Sequence, residues 1–253
     1  MAGIHQPHVT MISGCFITGT DTGVGKTVVT AAVARCLSQR GINIGVMKPI
    51  ETGCRSDDAP DSDASRLRTA AGVSDALQTI RPYRFAEPLA PLAAARHACI
   101  SIEIARIAAA FNDLSFDRTV ILVEGVGGVR VPITADMDVR DLIVALDLPA
   151  LVVGRVGIGG INHALLTSES LRQGGITIRG LVLNHCAPWD GRGETFLQNE
   201  STVQILQEQS GVRVFGPLRF EPELDRHWES GLARLVSDPV VQALADWVAP
   251  TGP

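Results

Sequence analysis

The sequence predicts an α/β fold, a doubly wound, mostly parallel sheet with helices on both faces. Three observations carry that prediction. Short apolar runs alternate with amphipathic segments, the pattern of strands covered by helices. The first two strands are joined through a helix, a βαβ unit that forces parallel pairing and a right-handed crossover. The first strand also runs into a glycine loop that opens the helix, Gly19-Thr20-Asp21-Thr22-Gly23-Val24-Gly25-Lys26-Thr27.

Strand, glycine loop and helix N-terminus in that order make a phosphate-binding P-loop, so the fold is expected to be P-loop NTPase-like. Backbone N–H groups of the loop and first helical turn point at an anion. Asp21 to Thr27 (Asp21, Thr22, Gly23, Val24, Gly25, Lys26, Thr27) are the expected ATP-binding stretch. Lys26 brings an ammonium to the β- and γ-phosphates and Thr27 a hydroxyl to Mg²⁺. Counted back from Gly25, the first position of the usual motif is Thr20 and the glycine stands one residue earlier, at Gly19. The loop is a variant with one extra residue.

At 253 residues the chain suits one domain, 1–253, with residues 1–10 a loose tail. Apolar residues at 45% can fill a large core, and sparse charge at 19% suits covered strands. The net charge of −5, with no long basic block, argues against nucleic acid and anionic membranes as partners. Five scattered cysteines without a C-x-x-C pair suggest reduced thiols, and no apolar stretch is long enough to span a membrane. A cytoplasmic protein is expected.

The elements follow in order. Ile12 to Thr18 is the first strand. Val29, Val33, Cys36 and Leu37 mark one helix face, with Gly41 as its cap. Ile42, Ile44 and Val46 alternate in a second strand that runs into Met47-Lys48-Pro49. Glu51 to Pro60 reads as turns, Asp63 to Ala71 as helix, Arg81 to Pro91 as irregular and Ile100 to Phe111 as helix. Thr119 to Val123 is a covered strand ending in Glu124-Gly125-Val126-Gly127-Gly128. Then come helix at Asp138 to Ala145, strand at Pro149 to Val153, helix at Asn162 to Gln173 and strand at Ile176 to Leu183. Glu194 to Gln209 is helical, Val212 to Phe215 a short strand, and Pro239 to Val248 a terminal helix capped by Asp238.

In such a sheet ligands bind beyond the carboxyl ends of the strands. Lys26, Lys48, Glu124 and Asn184 all stand at those ends, delivered by otherwise apolar strands. Glu124 occupies the place of the Walker B carboxylate. Mg²⁺ takes few ligands from protein, so Thr27, Glu124 and one further carboxylate would suffice. Asp63 is the candidate, with an ordinary helix-start role as the alternative because Asp57, Asp58 and Asp61 stand nearby.

The glycine loop with its extra residue resembles the signature of dethiobiotin synthetases. Lys48-Pro49-Ile50-Glu51-Thr52-Gly53, Pro82-Tyr83-Arg84-Phe85-Ala86-Glu87-Pro88, Val123-Glu124-Gly125-Val126-Gly127-Gly128 and Gly160-Ile161-Asn162-His163-Ala164 fit that family in the same order, as does Asn184. The resemblance runs from about Phe16 to Phe220. It implies ATP- and Mg²⁺-dependent ring closure of 7,8-diaminononanoate with CO₂ in biotin biosynthesis, through a carbamate and its anhydride with phosphate. By resemblance Lys26 and Lys48 are catalytic, holding the γ-phosphate and the carbamate. Thr22 contacts the carbamate, and Thr52 keeps a hydroxyl near the substrate amine. Thr27, Asp63 and Glu124 carry Mg²⁺. Gly160, Ile161 and Asn162 place a helix N-terminus at the substrate's carboxylate in the neighbouring subunit's site, which implies a homodimer. Asn184 reads the adenine edge beside Pro217, where the chain departs from the family: the proline of Gly216-Pro217-Leu218-Arg219-Phe220 is shifted and Arg219 takes its expected place.

The chemistry agrees, since joining two anions needs concentrated positive charge rather than a nucleophile. His163, His185 and His227 then default to structural or solvent roles. The alternative on the same fold is a partitioning-type ATPase switch, whose loop usually carries an additional early lysine. Gly19 to Val24 contains none. A cobyrinate-type amide ligase would need a glutaminase domain or partner.

Overall fold

A computed structural model describes residues 13–188 and 193–249, with 193–195 as backbone only. The expected tail at 1–10 lies outside them, as does Ile12. The chain runs β1 (Ser13–Gly19), α1 (Lys26–Gln39), β2 (Ile44–Met47), β3 (Ile50–Thr52), α2 (Asp63–Ala71), α3 (Leu77–Ile80) and β4 (Tyr83–Phe85). It continues with α4 (Pro91–His97), α5 (Ile104–Ser115), β5 (Val120–Gly128), α6 (Val139–Ala145), β6 (Ala150–Arg155), α7 (Gly160–Gln173) and β7 (Ile178–Asn184). It closes with α8 (Gly193–Gln209), β8 (Val214–Leu218), α9 (Glu223–Arg226), α10 (Trp228–Val236) and α11 (Pro239–Val248).

Six strands form one sheet in the order β2-β5-β1-β6-β7-β8, and every neighbouring pair is parallel. β1 lies inside the sheet between β5 and β6, and its residues from Gly14 to Gly19 are buried. A strand covered on both faces reads as a continuous apolar run, which is why Cys15-Phe16-Ile17 was legible as a strand. Helices pack around the sheet, with α1 touching α2, α10 and α11. All parallel strands end at one edge, so whatever their last residues carry converges there.

The structure corrects several element readings. Ile50–Thr52 and Tyr83–Phe85, expected as turns and irregular chain, pair as a second, two-stranded parallel sheet. The helix expected from Ile100 begins at Ile104, and α4 precedes it. Between them Cys99 takes a left-handed φ of 54°, which breaks any continuous helix, and Glu103 N donates to Tyr83 Oη at 2.7 Å. β5 continues past Val123 to Gly128, still paired with β1. α7 begins two residues before Asn162, and α9 and α10 were not anticipated. Asp138 and Asp238 stand just outside their helices as N-caps, the first in a capping box with Asp141.

Candidate active site

Gly25 ends the glycine loop as the N-cap of α1, with a φ of 97°. A Cβ there would meet Asn184 Nδ2 at 2.2 Å, so both backbone and neighbour require glycine. Asn184, the last residue of β7, donates through Nδ2 to Val24 O at 3.0 Å and joins the loop to the far half of the sheet. Lys26 folds back over the loop, Nζ donating to Asp21 O at 2.9 Å. Thr22 N donates to Asp21 Oδ1 at 2.7 Å, and Arg155 Nη2 reaches Thr22 O at 3.3 Å.

Thr27, Lys48, Asp63 and Glu124 meet in one cluster. Thr27 Oγ1 lies 3.0 Å from Asp63 Oδ1 and 2.8 Å from Glu124 Oε1, one hydroxyl between two carboxylates. Lys48 Nζ lies 2.7 Å from Asp63 Oδ2 and 2.5 Å from Glu124 Oε1. Glu124 is wholly buried, and its Oε2 has no hydrogen-bond partner. Asp63 opens α2, and its N–H donates to Glu51 Oε1 at 2.6 Å. The other Glu51 oxygen takes Arg81 Nη1 at 2.8 Å in a pair that is almost fully buried.

Burial lowers the Lys26 ammonium to about 8, helped by the charge of Lys48 and opposed by Glu124 and Asp63. Burial would lower Lys48 as well, but the Glu124 and Asp63 carboxylates outweigh it and hold Lys48 well above the usual lysine range. Burial pushes the Glu124 carboxyl up against the pull of Lys48. At Asp63 burial is outweighed by Lys48 and the Thr27 hydroxyl, which keep its carboxyl below the usual range. Within the cluster Lys48 and Asp63 hold each other ionised, while burial works against the charged forms of Glu124 and Lys26.

A cleft of about 610 Å³ opens over this cluster, lined among others by Thr22, Lys26, Thr27, Lys48, Asp63 and Glu124. Gly23, Gly25 and Thr52 line it too, as does the stretch from Pro88 to Pro91. A second compartment of about 340 Å³ is walled by Asn184, Phe220 and Glu221. Gly23, Gly25, Val28, Arg66 and Trp228 border both, so the two are continuous over the glycine loop. The larger holds the lysine–carboxylate cluster, and the smaller, lined by Arg66, Arg219, Glu221 and Asp225, presents a buried side-chain amide.

The remaining expected residues lie elsewhere. Val24 and Asp21 are part of the loop but line neither compartment: Val24 is buried, with its carbonyl accepting from Asn184, and Asp21 is exposed. Pro217 lies within β8 and lines neither compartment; Arg219, Phe220 and Glu221 follow it into the wall. Gly160, Ile161 and Asn162 form the start of α7 and also line neither, with Asn162 exposed. Sequence reasoning passed over Glu51, Arg81, Arg66 and Trp228 as contributors. Glu51 stood inside a quoted motif, so its signal was present; Arg66 and Trp228 had none, being ordinary residues on helix faces.

A family model described as an AAA domain matches residues 13–227. The chain is 40% identical over 225 residues to the ATP-dependent dethiobiotin synthetase BioD of Thermodesulfovibrio yellowstonii, covering 85% of this chain and 92% of that one. It is 44% identical over 217 residues to the enzyme of the same name from Anaeromyxobacter sp. (strain K), covering 86% and 94%. The chain belongs to the dethiobiotin synthetase family. Among solved structures, the MinC:MinD cell division protein complex of Aquifex aeolicus matches with a TM-score of 0.59 at 17% identity, over 95% of this chain and 99% of that one. A ParA family ATPase from Chlorobium tepidum matches at 0.55 and 15%, over 93% and 98%. These two likenesses concern the fold alone.

Proposed function

We infer that the protein is an ATP-dependent ligase that forms C–N bonds, closing the ureido ring of dethiobiotin in biotin biosynthesis. The observation that carries this reading is the meeting of Lys26, Lys48, Thr27, Asp63 and Glu124 in one cleft, continuous with a compartment that presents the Asn184 amide. We further propose 7,8-diaminononanoate and CO₂ as the other substrates. One amine takes up CO₂ and releases a proton to give a carbamate. A carbamate oxygen attacks the γ-phosphorus, and ADP leaves. The second amine then attacks the carbamate carbon and gives up a proton, and phosphate leaves as the ring closes.

In this reading Lys26 draws the γ-phosphate toward the carbamate, and Lys48, released from its carboxylates, faces the charge that builds between them. Thr22 orients the carbamate and Thr52 the amine beside it, which raises their effective concentration. A divalent cation fits Thr27, Asp63 and Glu124: Glu124 Oε2 is a buried oxygen without a partner, and two carboxylates with a hydroxyl suit a hard cation. Mg²⁺ held there would neutralise phosphate charge. Asn184 takes the base, in the compartment that Glu221 walls from the other side.

Asn162 and the N-terminus of α7 would receive the substrate's carboxylate in the site of a second copy. The exposed Ile158 and Leu166 beside it, 88% and 56% accessible, support a covered face there. We read the chain as a single domain acting as a homodimer. Free cysteines among the described residues support a reducing compartment, the cytoplasm; no described helix is long and apolar enough to cross a membrane. Phosphate release from ATP, followed with bicarbonate and with or without the diamine, tests the assignment. Release should depend on the diamine; a rate that the diamine leaves unchanged would contradict it.

A further inference from the structure

Arg66 lies on α2, one turn beyond Asp63. Its guanidinium carbon stands 4.2 Å from the centre of the Trp228 ring, which α10 supplies. Among the described residues the Arg66 side chain donates no hydrogen bond and makes no ion pair; it stacks on that ring, and its charge reaches the Asp63 carboxylate one turn back. Trp228 Nε1 is likewise buried with no hydrogen-bond partner. A guanidinium with five N–H donors and an indole N–H thus both lack a protein acceptor at one place. That place borders both compartments, opposite Gly23, Gly25 and Val28 of the loop and first turn of α1.

Stacking on an aromatic face fixes the plane of a guanidinium and leaves its edge donors directed outward, in a fork that matches two phosphate oxygens. A buried indole N–H with no acceptor is costly, and an anionic ligand between the compartments would supply acceptors to it and to the guanidinium edge. Any nucleotide spanning from the phosphate cleft to Asn184 must pass this seam. We propose that Arg66, seated on Trp228, is a nucleotide-binding residue that clamps the diphosphate from the side opposite the glycine loop. This rests on the reading of the cleft as the nucleotide site. It assigns a contact to two residues that none of the sequence motifs contains, and it brings α10, the helix before the last, into the nucleotide site.

The test is a titration of the full-length protein with Mg-ADP and with adenosine, for wild type, Arg66→Gln, Arg66→Lys, Trp228→Ala and Lys26→Ala, with circular dichroism to confirm folding. Arg66→Gln should raise the Kd for ADP by about 10- to 100-fold, the loss of a charge-assisted pair of hydrogen bonds, and leave adenosine within twofold. Arg66→Lys should fall between, keeping the charge but losing the fork, and Trp228→Ala should show a smaller loss confined to ADP. ADP affinity unchanged in Arg66→Gln, while Lys26→Ala weakens it, overturns the clamp alone. Equal weakening of ADP and adenosine by Arg66→Gln also overturns it, since that is base packing or general damage. If neither Lys26→Ala nor Arg66→Gln weakens ADP, the nucleotide assignment of the cleft falls with it.

Discussion

Lys48 holds its ammonium between Glu124 and Asp63, so its removal should act on both chemistry and stability. Lys48→Ala is expected to slow turnover by about 10²–10³, the loss of one charge-stabilising donor. It also leaves Glu124 buried without its cation, which costs about 3–5 kcal/mol in the metal-free protein. Mg²⁺ should therefore raise the melting temperature of Lys48→Ala more than that of wild type, because a second cation takes over the neutralisation. Turnover within twofold of wild type would make Lys48 a bystander. At this scale the sequence was informative where strands deliver residues: Lys48 and Glu124 follow apolar runs and could point only at the carboxyl edge. Asp63 was ambiguous among Asp57, Asp58 and Asp61 because helix starts attract aspartate for local reasons. What singles it out is tertiary, the approach of Thr27 and Lys48 and the grip of Glu51 on its N–H.

The elements explain that grip. β3 brings Glu51 beneath the start of α2, where it accepts from Asp63 N and pairs with Arg81 of the segment before β4. Glu51→Ala would leave the buried Arg81 with only the exposed Asp57 carboxylate, 3.8 Å away, as counter-charge, costing up to about 3–5 kcal/mol, and lower the melting temperature on the order of 10 °C. It should also raise the Mg²⁺ concentration needed for half-maximal activity, since Asp63 loses its anchor; an unchanged requirement would sever that link. β3 and β4 escaped the sequence because three residues hold no readable period, and Pro82 and Pro88 suggested loop. α1 was legible because its apolar face repeats over several turns. α10, by contrast, followed prolines and charges beyond the last quoted motif.

Across the whole molecule, alternation of strands and helices gave the fold class, but strand order arises from packing that no local pattern encodes. The start of α7 shows the consequence: its motif was read, yet in one chain it lies outside the cleft. If it serves a second copy, Asn162→Ala and Lys26→Ala should complement when mixed. Random exchange makes about half the dimers mixed, each with one intact site, so roughly a quarter of wild-type activity should return at subsaturating diamine. No gain over the separate variants would place the whole site within one chain. The central claim is that a carbamate oxygen attacks the γ-phosphorus of ATP in this cleft. Its most direct test follows ¹⁸O from labelled bicarbonate, with ATP and the diamine, into the products by mass spectrometry. One labelled oxygen should appear in the released phosphate for each ring closed; ring closure with unlabelled phosphate would contradict the account.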